Sequence, residues 1–261
     1  MIGKGENYDW GFTVRDPAKV GRELFYGIRR PRNYRKAFPL LIRGANEGSI
    51  HSQYLAAYAL ANGLGTRRDF NAARYWYTSV IRNGPAEAIA EAAFDLALMY
   101  DKRGTKSDLR AARHWYASAT RSGHPEAPFN LALMYDLGRG LKQSPRRAFL
   151  LYKEGARRGD SWAECNLGID YLRGLGCKKN ARLGVNRLQR AAKKGDSKAQ
   201  YSLGLAYLEG EGVRVNDTHA LRWLLKATRQ GHKRARRMLS QIKAQDGRVT
   251  HPSTRSKRTT G

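Results

Sequence analysis

The chain has 261 residues, 49 Lys and Arg against 22 Asp and Glu, a net charge of +27 and an apolar share of 41%. That share supports a core and excludes a wholly disordered chain, and no apolar run of about 18 residues is present to span a membrane. Two Cys residues are too few for a disulfide framework and point to a reducing compartment.

The opening MIGKGENYDWGF lacks the apolar stretch of a secretory signal. A cytoplasmic, very basic protein is expected, with secretion by a signal-independent route left open. Residues 1–15 read as an N-terminal extension. Residues 16–48 read as a degenerate N-terminal capping helix pair, because they lack a glycine pair and carry Pro39 early in the second helix. From residue 49 to 231 the text repeats. Gly48, Gly84, Gly123, Gly159, Gly195 and Gly231 are spaced by 36, 39, 36, 36 and 36 residues.

Within each repeat two helices are expected. The first, or A, helix follows the glycine: Ala163, Leu167, Gly168 and Tyr171 match Ala199, Leu203, Gly204 and Tyr207. Offsets of four, five and eight lie on one helical face, and the small residues allow close helix approach. The second, or B, helix carries Ala73, Ala112, Ala148 or Ala220, followed by bulky residues such as Trp76, Trp115, Leu151 and Trp223. Gly63/Gly65, Gly138/Gly140, Gly174/Gly176 and Gly210/Gly212 join A to B as helix-terminating turns. Asp69, Asp108, Ser144, Asn180 and Asn216 stand four before the B-helix alanine slot and are expected to be N-caps. Pro145 suits a first helical turn, and Pro85 and Pro125 are expected to open A helices. The repeat between Gly84 and Gly123 is three residues longer and keeps only Gly104 at its turn. Residues 232–245 read as a C-terminal capping helix, and 246–261 as a disordered basic tail.

The pattern Ala-x-x-x-Leu-Gly-x-x-Tyr-x-x-Gly-x-Gly, then Ala-x-x-Trp-Tyr-x-x-Ala-x-x-x-Gly, resembles the Sel-1-like repeat family, which is related to tetratricopeptide repeats. Residues 197–231 match best, through Gly210, Gly212, Val213, Ala220, Trp223, Ala227 and Gly231. The resemblance implies an all-α, right-handed α/α superhelical solenoid of about five to six helix–turn–helix repeats. A helices would line its concave face and B helices its convex one. It also implies a scaffold for protein complexes.

Charge is distributed unevenly. The B segments 73–83, 112–122, 148–158, 184–194 and 220–230 hold 14 Lys/Arg and one acid, Glu154. Arg82, Arg121, Arg157, Lys193 and Arg229 recur two residues before each closing glycine. With Arg158, Lys194, Lys233, Arg234, Arg236 and Arg237 they form a candidate anion-binding ladder. Dipole complementation explains one cation per helix end, worth about 0.3–1 kcal/mol, but not this excess. A polyanionic partner, nucleic acid or an acidic protein, would explain it.

On the A helices, Tyr54, Tyr58, Phe94, Leu98, Phe129, Leu133, Ile169, Tyr201 and Leu205 form a candidate protein-binding groove by analogy with tetratricopeptide repeats, with Cys165 in the same slot as Phe94. Aromatic packing between repeats is the competing explanation. The six His show no HxxxH or HExxH spacing, and His124 and His232 share one repeat position. Cys165 and Cys177 are twelve apart, the Gly-x-Gly loops lack a following GK[ST], and no paired acid/base carboxylates are evident. No cofactor, metal, small-molecule substrate or enzyme activity is therefore expected. The expected function is a scaffold or adaptor binding a protein partner through the groove, the basic convex face, or both. The alternative is a nucleic-acid-binding module using the ladder.

Overall fold

The computed structural model describes residues 17–249, and the described residues form α-helices and no strand. In chain order the helices are α1 (Pro17–Tyr26), α2 (Tyr34–Asn46), α3 (Ile50–Asn62), α4 (Phe70–Asn83), α5 (Ala86–Arg103), α6 (Lys106–Arg121), α7 (Ala127–Leu137), α8 (Pro145–Arg157), α9 (Ser161–Arg173), α10 (Ala181–Lys193), α11 (Ser197–Glu209), α12 (Asp217–Arg229) and α13 (Lys233–Val249). Odd-numbered helices are the A helices and even-numbered ones the B helices. The chain divides between Gln143 and Ser144 into two compact units, α1–α7 and α8–α13.

Each unit is an all-α repeat array. In the first, α1 packs on α2, α3 on α4 and α5 on α6, while α3 touches both neighbouring A helices, α1 and α5. In the second, α9 packs on α10, α11 on α12, and α9 meets α11. Apolar residues at helical spacing fill the layer between A and B helices: Leu41, Leu55, Tyr77 and Leu96 in the first unit, and Leu188, Leu203, Leu224 and Leu239 in the second. The small positions do what their spacing predicts. A Cβ on Gly168 would stand 2.9 Å from Leu188 and 3.0 Å from the Gly184 carbonyl oxygen, so α9 and α10 touch backbone to backbone.

Turn chemistry explains most boundaries. Asp69, Ser144, Asn180 and Asn216 each accept a backbone N–H from the third residue beyond, and they cap α4, α8, α10 and α12 as expected. Asp108 does not. In the long repeat α6 starts earlier, at Lys106, and Thr105 is its cap. Asp108 instead lies in the first turn and closes a capping box, accepting from the Thr105 hydroxyl at 2.7 Å and the Arg103 guanidinium at 3.2 Å. Gly84 also departs from its repeat equivalents. Its φ is −83° with ψ 167°, because Pro85 follows and a residue before proline is held in extended backbone. Pro85 is the N-cap of α5, whereas α7 starts only at Ala127, two residues after Pro125.

At the carboxyl end α13 continues to Val249, past the expected limit at residue 245. Once nucleated, a helix gains a backbone hydrogen bond per added residue and runs through a glycine such as Gly247 at a cost of about 1 kcal/mol. The extension over residues 1–15 and the tail beyond 249 lie outside the described residues.

Candidate interaction surfaces

The A-helix stripe is built by packing first. Phe94 is 7% exposed, its ring stacked 3.8 Å from His124 and tilted against Tyr116 at 5.9 Å. Tyr201 repeats the arrangement, stacked 4.7 Å from His232. Cys165, in the same slot, is buried, and burial pushes its thiol pKa well up. These three positions hold one repeat to the next, so Phe94 offers no surface to a partner. Tyr58, Leu98, Phe129, Leu133, Ile169 and Leu205 are partly buried. His124 and His232 owe their shared position to a second duty. Each Nδ1 accepts a backbone N–H, from Glu126 and Ala235 respectively, at the start of the following helix.

In the first unit the stripe is acidic and tyrosine-rich. Tyr54 donates its hydroxyl to Asp95 at 2.7 Å, and its ring lies edge-on to Tyr77 at 6.0 Å. Burial pushes the Asp95 carboxyl up to about 6, only partly offset by that hydrogen bond. A carboxyl raised in this way stabilises the fold while protonated. The contribution is complete below the ordinary value of 3.8 and is lost as pH rises through about 6. Asp95→Asn keeps an acceptor for Tyr54 without the buried charge. It is expected to stabilise the chain by about 1–3 kcal/mol at pH 7.5 and to change little near pH 3.5, by urea unfolding at the two pH values. Equal effects at both would contradict the assignment.

The slot three residues before these stripe positions, which the sequence reading did not single out, changes character between units. It holds His51, Glu91 and Glu126 in the first and Trp162, Lys198 and Arg234 in the second. Trp162 is 55% exposed. Aligning the repeats on Tyr54, Phe94, Phe129, Cys165 and Tyr201 would have revealed the slot.

The basic ladder divides into two groups. Arg82, Arg121, Lys193 and Arg229 are exposed on the last turns of B helices and meet no carboxylate among the described residues. Arg157 and Arg158 are engaged: both guanidinium groups reach Glu154 at 2.8 Å. These two hydrogen-bonding partners hold the Glu154 carboxyl down to about 2. Lys194 is exposed, but its Nζ donates to the Gly159 carbonyl one repeat back at 2.9 Å. Lys233, Arg234, Arg236 and Arg237 are exposed on the opening turns of α13. There positive charge opposes the helix dipole, so helix stability does not explain them.

The outer faces of three B helices each carry an exposed apolar residue beside cations. Tyr75 on α4 is 64% exposed, Leu150 on α8 54% and Leu225 on α12 45%. Arg74, Lys153 and Lys226, also exposed, lie within a turn of them. No group of three His, Cys, Asp or Glu among the described residues could hold a metal ion, and no described helix is long and apolar enough to cross a membrane.

The family model described as Sel1 repeat matches six segments, residues 18–49, 50–85, 90–124, 125–160, 163–196 and 197–232. Among solved structures, a protective antigen of uropathogenic Escherichia coli with an SLR fold superposes with a TM-score of 0.77 at 21% identity over 87% of this chain. The chain spans only 48% of that antigen's length. A Sel1 repeat protein from Oxalobacter formigenes superposes with a TM-score of 0.65 at 24% identity, covering 81% of this chain and 83% of the other. No curated protein matches the sequence.

Proposed function

The chain belongs to the Sel1 repeat family, and on that premise we propose that it is a non-enzymatic scaffold whose B-helix outer faces bind an acidic protein partner. Sel1 repeats generally serve protein interaction, and their solenoid is typically non-catalytic. The observation that carries the reading is the pairing of Tyr75, Leu150 and Leu225 with neighbouring cations on α4, α8 and α12. Protein interfaces draw their energy from a few apolar or aromatic anchors. Surrounding charge sets partner choice and association rate. The buried Phe94 turns the reading away from the A-helix stripe as the main anchor site.

The test starts with photo-crosslinking side chains placed at positions 75, 150 and 225 in the native host. A partner recovered there is then purified and titrated against the chain by calorimetry. Tyr75→Glu, Leu150→Glu and Leu225→Glu together are expected to weaken binding at least tenfold, about 1.4 kcal/mol. A purified partner that binds the triple variant as well as the original chain would sink the proposal.

A further inference from the structure

We propose that the first unit docks on an anionic lipid bilayer through the turn between α1 and α2, with Ile28 entering the headgroup layer and Arg29, Arg30, Arg32 and Arg35 on the lipid phosphates. This goes beyond the B-helix reading and uses different residues.

Gly27 to Asn33 is the first of the repeated turns from an A to a B helix. The Ile28 N–H donates to the Glu23 carbonyl and the Asn33 N–H to that of Leu24, as Leu64 donates to Ala59 and Asp69 to Leu60 in the next turn. Gly27 thus matches Gly63, and Arg29 stands where the later turns carry Gly65, Gly140, Gly176 and Gly212. That place demands a left-handed backbone. The glycines hold φ of 73°, 68°, 69° and 75°, and Arg29 holds 58°, the one non-glycine residue at positive φ among the described residues. In the later turns a Cβ there would run into the preceding B helix, as at the Tyr34 carbonyl for Gly65. No described helix precedes α1, so a side chain fits at position 29, but its β-carbon still disfavours the conformation. The fold is better served by glycine than by arginine at this position, and strain of this kind is retained where a side chain has other work.

Cations collect around this residue. Arg30 and Arg32 are exposed in the same turn, and Arg35 and Lys36 on the first turn of α2. Positive charge at a helix start opposes the dipole, so helix stability does not explain the last two. The turn from Gly63 to Asp69 lies against that helix start, since a Cβ on Gly65 would collide there, and it adds the exposed Arg67 and Arg68. Two carboxylates act on the same edge: Glu23 takes Arg30 at 3.4 Å, and Asp69 caps α4. Seven cations therefore face two anions among the described residues. Arg32 donates to the Tyr26 carbonyl at 3.5 Å and lies 5.9 Å from the Tyr34 ring, and Arg68 donates to the Asn62 carbonyl at 3.4 Å. Those contacts orient the two guanidinium groups and leave their charge uncompensated.

An apolar side chain accompanies the cluster. Ile28, next to Arg29, is 45% exposed, whereas Leu64, its counterpart in the following turn, packs on the core of the first unit. Pro31 stiffens the turn that carries it. An anionic bilayer answers both features, with phosphates for the guanidinium groups and an apolar layer just beneath them for a short aliphatic side chain. A nucleic-acid backbone would satisfy the cations and leave Ile28 in water.

The experiment is co-sedimentation of the whole chain with vesicles of phosphatidylcholine mixed with phosphatidylglycerol, beside vesicles of phosphatidylcholine alone, at about 0.15 M salt. Binding is expected to the mixed vesicles only. Arg29→Gly should weaken it about fivefold, the worth of one cation near an anionic surface. The same substitution suits the positive φ and should not lower the thermal unfolding midpoint, so lost binding is not lost folding. Ile28→Ser should weaken binding about three- to tenfold. Arg182→Gln, exposed on α10 in the second unit, should change it less than twofold. Failure to bind the mixed vesicles overturns the proposal, as does an Arg182→Gln loss equal to that of Arg29→Gly, which would reduce the effect to net charge. Full binding by Ile28→Ser overturns the entry of the turn into the headgroup layer. Oligouridine or polyglutamate bound with the same dependence on Arg29, while the vesicles are not, gives the edge to a nucleic acid or an acidic protein instead.

Discussion

Replacing Arg187 and Arg190 together by Met is expected to destabilise the second unit by about 3–5 kcal/mol, the usual cost of leaving a buried charge without its partner. The charge is Glu164 on α9, fully buried with 0% exposure. Its Oε1 takes Arg187 at 3.1 Å and Arg190 at 3.4 Å, both from α10. Sister repeats show what the position otherwise demands. Gln53 and Gln200 occupy the same slot, and their amides donate to the Ala45 and Ala192 carbonyls in the last turn of the preceding B helix. A carboxylate cannot donate, and Glu164 Oε2 is left without a hydrogen-bond partner. The two arginines therefore compensate for a carboxylate standing where the repeat uses an amide. Glu164→Gln in the Arg187→Met/Arg190→Met background should restore most of the loss by supplying the amide and removing the charge. Urea unfolding of the two variants beside the original chain measures both effects. A loss below about 1 kcal/mol in the double variant would show that water already reaches the carboxylate.

The second large effect concerns the paired turn glycines, which are not equivalent to the closing ones. Gly212→Ala is expected to cost about 2–5 kcal/mol, whereas Gly195→Ala should cost only about 1–2 kcal/mol. Both have positive φ, +75° and +97°, so both carry the conformational penalty of a left-handed L-residue. They differ in surroundings. A Cβ on Gly212 would fall 2.4 Å from the Ala181 carbonyl oxygen, on the first turn of the previous B helix, and backbone there cannot step aside. A Cβ on Gly195 meets nothing within 4 Å. Gly176 makes the same close approach to Pro145 as Gly212 does to Ala181. The second glycine of each pair thus presses one repeat's turn onto its predecessor. Thermal unfolding midpoints of the two single variants should separate clearly, and identical losses would remove the packing role.

Much of this architecture is legible in the residues because its causes are local. Asp69, Ser144, Asn180 and Asn216 cap helices through bonds to the third residue beyond, and the helical face of Ala163, Leu167 and Gly168 follows from spacing alone. The misreadings arise where the repeat is irregular. Three extra residues in the second repeat move the cap from the slot of Asp108 to Thr105, and Pro85 straightens the backbone at Gly84. The candidate sites are less legible. Phe94 and Tyr201 read equally well as groove or packing residues until His124 and His232 are seen to cover them.

The sequence by itself determined the family, the all-α repeat and most helix boundaries. Capping, turn glycines and apolar periodicity act within a few residues and recur every 36 or so. Only the tertiary structure decided which charges are available to a partner. Arg157 and Lys193 occupy the same repeat position and look alike as text. One is held by Glu154, while the other meets no carboxylate among the described residues. Whether a cation is satisfied depends on the groups that packing brings against it, across a helical turn or across a whole repeat, and neither composition nor periodicity carries that information.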